Sequence, residues 1–314
     1  MPWMTIPPIH KPLAALMVSA TFGAAEIGAA QGLPLFDPRA VDIVRVQANE
    51  PDVAQSPGQA AIDGLIGVIQ LDQMLEVMIA EELGFGEDLR ADMLPDVTPS
   101  RWKRDLQAGL SVGTLKPIFV TAFAQALDGV GGRNAPLQAE IAALGHDPLM
   151  AKAIDLEVKA RRLLLDIDVE NAAFDHAVKS EKTARFKAVG AYIEALDLVE
   201  NNVAGSLNSN LVFYREMVRG GAFPYDVTEQ EMVSDVAGEA DAMRAEIDEW
   251  LTAYLYMAYA PMSDAEFARF SKLGLSAAGR AFYDAANRGY DAVFVHNSKV
   301  IGAMVAGHLA GEAL

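Results

Sequence analysis

The sequence has 314 residues, of which 52% are hydrophobic, so it can form one large domain or two ordinary ones with a substantial core. It contains no cysteine, which excludes disulfides, thiolate metal sites and cysteine nucleophiles. Its 43 acidic and 25 basic residues give a formal charge of -18, a poor match to a phosphate backbone or an anionic lipid surface. Nucleic acid is therefore not an expected partner.

The N-terminal 30 residues have the pattern of a secretory signal peptide. Lys11 ends a short leading segment, and an uncharged apolar run follows at residues 12–25 (PLAALMVSATFGAA). Small residues then offer cleavage sites after Ala25 or Ala30. The run is shorter than the ~20 residues of a membrane-spanning helix, and Glu26 interrupts it. The pattern predicts an exported bacterial protein, periplasmic or secreted, with no stable membrane insertion after cleavage.

Helical signals dominate the chain beyond an extended lead-in at residues 31–57. A first helix is predicted from Ser56 and Pro57 through Leu83, with Gly84 and Gly86 ending it. Further starts are expected at residues able to cap a first turn: Thr98 before Pro99, Thr114, Asn134, Asp147, Asp168, Ser276, and the capping boxes Thr228–Glu231 and Ser263–Glu266. No strand series with period-two alternation is visible, so the predicted fold is all-α.

A weak internal repeat organises the predicted helices. The hexapeptide AEIAAL at residues 139–144 corresponds to AEFARF at residues 265–270, and each precedes a short break and a longer helix. The shared order favours a multi-helix bundle built from two related helical units, at residues 58–180 and 181–314.

A motif in the second unit carries a family resemblance. The segment MSDAEFARFSKLGLSAAGRAFYDAANRGYDAVFVHNSKVIG at residues 262–302 has an acidic short helix with Glu266, the aromatic Phe270, and then Gly279 and Arg280 opening a long helix. This pattern resembles the C-terminal part of the bacterial family catalogued as domain of unknown function 2059. In the first unit Glu140 and Leu144 stand at matching positions, while residues 150–152 (MAK) replace the glycine. The resemblance implies an exported helical protein and supplies no catalytic residues.

The sequence offers few candidates for chemistry. Residues 109–113 (GLSVG) match the nucleophile-elbow pattern around Ser111, but that chemistry needs a strand-to-helix turn, and the preceding residues indicate a helix. The histidines form no metal-binding pair at helical spacing, and they read as surface or packed residues: His10, His146, His176, His296 and His308. No catalytic, cofactor or metal site is therefore predicted, and paired acids read as solvated faces.

Two side-chain groups remain as candidates for interaction. A stripe of small and amide residues lies at helical spacing in the segment at residues 200–215: Asn201, Ala204, Gly205, Asn208 and Val212. A tight helix–helix seam is favoured over a ligand-lining surface for this stripe, with Asn201 and Asn208 as its interaction residues. An aromatic cluster is expected to pack in the core, and its members are Trp250, Tyr254, Tyr256, Tyr259, Phe267 and Phe270.

These observations leave two classes of function. The favoured hypothesis is a non-catalytic exported module that binds another envelope protein or an envelope component, and a homo-oligomer stays open as a third possibility. The alternative is a hydrolase with Ser111 as its nucleophile, or an enzyme that uses an unrecognised acid pair.

Overall fold

The computed structural model describes residues 58–131 and 134–311, which form helices joined by short connections. They are α1 (Gln59–Ile69), α2 (Leu71–Met93), α3 (Pro99–Gly109), α4 (Val112–Gly131), α5 (Ala135–Leu144), α6 (Pro148–Leu163), α7 (Ile167–Ser180), α8 (Ala184–Ala195), α9 (Leu198–Arg219), α10 (Glu229–Gly238), α11 (Ala240–Tyr259), α12 (Asp264–Gly274) and α13 (Ala277–Leu309). Within the described residues there is no strand, so the predicted all-α multi-helix bundle is confirmed. The predicted signal peptide and the extended lead-in lie outside the described residues.

The first predicted helix differs from the structure at both its interior and its end. Gln70 adopts a left-handed conformation with φ of 53°, which divides the segment into α1 and α2. Gly84 and Gly86 do not end α2, which continues to Met93. A Cβ atom at Gly86 would lie 2.5 Å from Cδ1 of Leu106, so the missing side chain admits α3 close to α2. Packing thereby offsets the cost of about 1 kcal/mol that a glycine adds inside a helix.

Most predicted caps are confirmed. The side chains of Asn134 and Asp147 accept hydrogen bonds from the free backbone N–H groups that begin α5 and α6. Ser276 does the same for α13, and both predicted capping boxes form reciprocally at α10 and α12. A hydroxyl side chain followed by glutamate three residues later, as at Thr228 and Ser263, thus forms the reciprocal capping box in both predicted places.

Two predicted helix starts are wrong by two or three residues. Asp166, not Asp168, caps α7 by accepting a hydrogen bond from the backbone of Asp168 at 3.0 Å. α4 begins at Val112 rather than at Thr114, because the hydroxyl of Ser111 accepts a hydrogen bond from the Thr114 backbone N–H at 3.2 Å. In each case an earlier residue with equal capping ability takes the role.

A single large core connects helices from both halves of the described chain. Phe119 and Phe123 of α4 are fully buried against α13, where Phe123 meets Phe282 edge to face with centroids 6.2 Å apart. A smaller cluster around Trp102 joins α2, α3, α9 and α13. α13 packs most extensively against α4 and α9 and thus runs through both clusters. The pairs α5–α6 and α12–α13 have the expected short-then-long order, and their common origin stays a prediction.

One stretch of the described chain is long and apolar enough to cross a membrane by length and composition alone. It runs over Pro99–Gly129. The structure interrupts this stretch at Leu110 and Ser111, between α3 and α4, and buries Phe119 and Phe123 in the core. Buried helices of folded cores meet the same criterion, so the stretch is weak evidence for a membrane span.

Candidate functional site

A cavity of about 160 Å³ lies inside the bundle. Its walls come mainly from α6, α8, α9, α11 and α13, and α1 and α2 contribute one apolar residue each. The apolar part of the lining includes Leu251, Leu255, Phe282 and Phe294. Its polar part consists of five tyrosines, three asparagines, two carboxylic acids and one arginine: Tyr192, Tyr254, Tyr259, Tyr283, Tyr290, Asn201, Asn202, Asn287, Glu157, Asp291 and Arg161.

Hydrogen bonds hold four of these polar side chains in two pairs. The hydroxyl of Tyr259 donates to Oε1 of Glu157 at 2.6 Å, which joins α11 to α6. The hydroxyl of Tyr192 donates to that of Tyr283 at 2.9 Å, which joins α8 to α13. Each pair connects side chains from two helices that line the same cavity, so four helices together orient the polar lining.

Arg161 is the cation of the cavity, and it is already paired. Its Nε and Nη2 atoms donate to the two carboxylate oxygens of Glu81 at 2.9 and 2.7 Å, and its guanidinium lies 5.9 Å from the centre of the Trp250 ring. Burial disfavours the charge of Arg161, but Glu81 together with Tyr254 and Tyr290 raises its pKa. Burial also raises the pKa of Glu81, which Arg161 partly opposes. This two-pronged geometry is that of an ionised pair, which leaves little of the guanidinium for another anion.

Burial changes the acidity of the two cavity carboxylic acids. It raises the pKa of Glu157 to about 7, against a smaller opposite effect of the hydrogen bond from Tyr259. It raises the pKa of Asp291 to about 6, which Arg288 partly opposes. Glu157 is half-buried and lines the cavity. Both acids can therefore change protonation state near neutral pH in contact with whatever occupies the cavity.

The cavity reaches solvent beside the start of α9. Asn201 is the one exposed residue among the described lining residues, and its side-chain amide donates to the carbonyl of Leu196 at 3.3 Å. Gly205 follows one turn later, where a Cβ atom would lie 2.6 Å from Oδ1 of Asp291. Two members of the stripe expected from the sequence thus border the cavity.

The other residues of the stripe predicted from the sequence do not line the cavity. Asn208 is half-buried and does not line the cavity, and Ala204 is exposed. The face of α9 that is buried has a different set of residues, with Val203, Ser206, Ser209, Asn210 and Phe213 as its members. A close seam between α9 and α13 does exist, and Gly302 marks it, because a Cβ there would lie 2.9 Å from the Phe213 carbonyl oxygen.

The structural context of Ser111 differs from that of a nucleophile elbow. The residue lies between two helices, α3 and α4, whereas the elbow places its serine after a strand. Its hydroxyl shares a hydrogen bond of 2.9 Å with the Thr114 hydroxyl and caps α4. A capping serine is held by the helix it begins, and this position lacks the strained turn that raises a nucleophile above a sheet.

Another buried carboxylic acid, Glu82, lies outside the cavity. Glu82 on α2 has no exposed surface, and its Oε1 accepts a hydrogen bond from the side-chain amide of Asn297 on α13 at 3.0 Å. Burial raises its pKa to about 8, more than the bond from Asn297 lowers it. The neutral acid therefore predominates below that pH in the folded protein.

Histidines and metal ligands add no further site. In the described part of the chain, no three side chains of histidine, aspartate or glutamate cluster as metal ligands would. His308 packs beside Trp102, with ring centroids 5.9 Å apart, and His176 stacks on Tyr256 at 5.5 Å. These two histidines are thus packed residues.

Sequence reasoning missed most of the polar residues of the cavity. Glu157 and Arg161 lie on the same face of α6 as the buried Met150, Ile154 and Val158. Charged residues at the spacing of an apolar stripe are a detectable signal for a buried polar site. Tyr254 and Tyr259 were assigned to an aromatic core, and the structure gives them a second surface that faces the cavity.

Comparisons with known proteins found no match: no family model, no curated protein and no solved structure resembles the chain significantly. The resemblance of residues 262–302 to the domain of unknown function 2059 family stays a prediction.

Proposed function

We propose that this protein is an exported, non-catalytic binding module and that its internal cavity is the ligand site. The export part rests on the sequence pattern of the first 30 residues. The binding part rests on one observation, which is a cavity of about 160 Å³ whose polar lining comes from five helices. A concave, largely apolar space with a few oriented polar groups is the usual form of a small-molecule site.

The sequence predicts an envelope protein or another envelope component as the partner. The ligand of the cavity belongs to the second class and is a small molecule. A small ligand fits the site better than a protein partner does, because Asn201 is the one exposed residue among the described lining residues. Asn201, at the mouth, is the residue that a ligand meets first. The access route lies beside the start of α9.

Co-purification tests the proposal. Protein purified from the periplasm of its producing cells is denatured, and the released small molecules are identified by mass spectrometry. Ala286 is buried and lines the cavity, so Ala286→Leu should fill part of the space and abolish retention of the ligand. Ala188→Leu, on the exposed face of α8, is the matched control and should retain it. Equal retention by both variants would contradict a ligand site in the cavity.

An enzyme is the second candidate, because Glu157 has a pKa of about 7 and is hydrogen-bonded to Tyr259. A carboxylic acid with a pKa near neutrality is suited to general acid–base catalysis. Incubation of the purified protein with the identified ligand decides between the two candidates. Unchanged ligand supports the binding module, and conversion that Glu157→Gln abolishes supports the enzyme.

A further inference from the structure

We propose that the ligand of the cavity is a small organic cation that carries an amino or quaternary ammonium group. The inference rests on the proposed function, since it assigns a chemical class to the occupant of the same cavity. It is carried by the balance of charges in the lining and by the aromatic walls around it.

The charges of the lining leave an excess of carboxylic acids. Glu157 and Asp291 both border the cavity, and the one cation in the lining, Arg161, is committed to Glu81 through two hydrogen bonds. The cation that acts on Asp291 is Arg288, which is exposed on α13 and does not line the cavity. An anionic ligand would meet two acids and no free guanidinium, whereas a cation would complete the charge balance.

The aromatic residues in the cavity wall also favour a cationic ligand. Five tyrosines line the cavity together with Phe282 and Phe294, so aromatic side chains make up a large part of its wall. The faces of such rings carry partial negative charge, which attracts ammonium groups and is the basis of quaternary ammonium recognition by aromatic cages. Because Tyr259 also donates a hydrogen bond to Glu157, an aromatic ring and a carboxylate are held together at one point of the wall.

The shifted acidities are consistent with this assignment. Burial without a full counter-charge raises the pKa of both Glu157 and Asp291, so ionising them without a cation beside them is costly. A bound cation would favour the ionised forms and recover that cost. The titratable groups that interact with Glu157 are tyrosines from α8, α11 and α13: Tyr192, Tyr254, Tyr259, Tyr283 and Tyr290.

Access for such a ligand lies along α9. Asn201 is exposed at the mouth and Asn202 is half-buried behind it, so neutral amides border the entrance. One turn further, Gly205 leaves room for the carboxylate of Asp291, whose Oδ1 lies where a side chain would otherwise stand. A cation that enters would thus meet amides first and the carboxylate of Asp291 next.

Titration calorimetry at pH 8 with the full chain tests the inference. The probes are choline, tetramethylammonium and 3,3-dimethyl-1-butanol, which is the uncharged carbon analogue of choline. We expect choline to bind at least tenfold more tightly than the neutral analogue. Glu157→Gln should lower the affinity for choline at least tenfold, because the substitution removes the negative charge and keeps an acceptor for the Tyr259 hydroxyl. Glu194→Gln, on the exposed face of α8, is the matched control and should bind as the parent does.

The outcomes separate the ligand class from the existence of the site. Equal binding of choline and its neutral analogue, or no binding of either cation, would overturn the cation assignment. The cavity would still stand as a site if Ala286→Leu loses the co-purified molecule. A second experiment measures whether the protein sediments with phosphatidylcholine vesicles. Co-sedimentation would assign the ammonium group to a lipid and would overturn the inference of a small free ligand. Melting curves of each variant verify that the folded state is retained.

Discussion

At the scale of single residues, three carboxylic acids in the interior of this bundle stand out. Glu82, Glu157 and Asp291 are each held in low-dielectric surroundings that raise the pKa. For Glu82 the hydrogen bond from Asn297 orients the group but does not provide a counter-charge. Folding therefore favours the protonated acids, and the free energy of unfolding must depend on pH.

The sign of that dependence follows from Glu82. Its pKa rises from an ordinary 4.5 to about 8 on folding, so its contribution to stability is complete below pH 4.5 and is lost as pH rises to 8. We expect Glu82→Gln to raise the free energy of unfolding at pH 8 by about 2–4 kcal/mol and to change it little near pH 5. Urea unfolding at both values measures the difference.

A matched variant on an exposed site separates this effect from a general loss of charge. Glu140→Gln on α5 changes the net charge equally at an exposed position, and we expect it to shift stability by less than about 0.5 kcal/mol at both pH values. If Glu82→Gln destabilised the protein at pH 8, the buried carboxyl would have to be ionised and paired. Glu157 and Asp291 should add a slope of the same sign between about pH 4 and pH 7, and burial raises the pKa of Glu81 in the same direction.

At the scale of helices, the close approach of α9 and α13 depends on missing side chains. A Cβ at Gly302 would lie 2.9 Å from both the Phe213 carbonyl oxygen and Cβ of Glu216. Glycine in a helix interior carries a propensity cost of up to about 1 kcal/mol. The structure tolerates that cost because the two backbones pack at a distance that a side chain would prevent.

Alanine in place of glycine usually stabilises a helix, but at Gly302 we expect the opposite effect. We expect Gly302→Ala to destabilise the protein by about 1–3 kcal/mol, since the new methyl group would push α9 away from α13. Gly190→Ala in α8 is the control, because nothing lies within 4 Å of its Cβ position, and it should stabilise by about 0.5–1 kcal/mol. Thermal melts of both variants measure the contrast, and equal shifts would mean that the seam adjusts freely.

The helices themselves were largely predictable, and the site was not. Caps such as Asp147 and Ser263 are local signals, written within four residues of sequence. The continuation of α2 through Gly86 depends on Leu106 of another helix, which no local pattern contains. The cavity depends on contacts between residues that are even more distant in the sequence, since the hydrogen-bonded Glu157 and Tyr259 are 102 positions apart. Asn201 was singled out for its residue type, and its place at the cavity mouth is a property of the assembled helices.

At the scale of the whole molecule, the large core makes the described helices interdependent. The predicted units at residues 58–180 and 181–314 each have helices whose apolar faces are covered by the other, as α4 is by α13 and α6 is by α11. One cooperative unfolding transition is therefore expected for the full chain.

Expression of the first unit alone tests this interdependence. A fragment covering residues 58–180 should lack a cooperative thermal transition in circular dichroism, because Phe119 and Phe123 lose the α13 surface that buries them. The full chain under the same conditions is the reference. A fragment that melts cooperatively would instead support two units that fold independently.

The position of α13 in the chain also bears on how the protein is made. Its 33 residues correspond to a rod of about 50 Å, and the ribosome synthesises them after every other described helix. Until α13 emerges, the faces of α4 and α9 that it covers have no partner, so the main core forms late. The apolar faces of α4 and α9 therefore stay uncovered until α13 has been made. Chaperones that bind exposed apolar surface can prevent aggregation of the nascent chain during that interval.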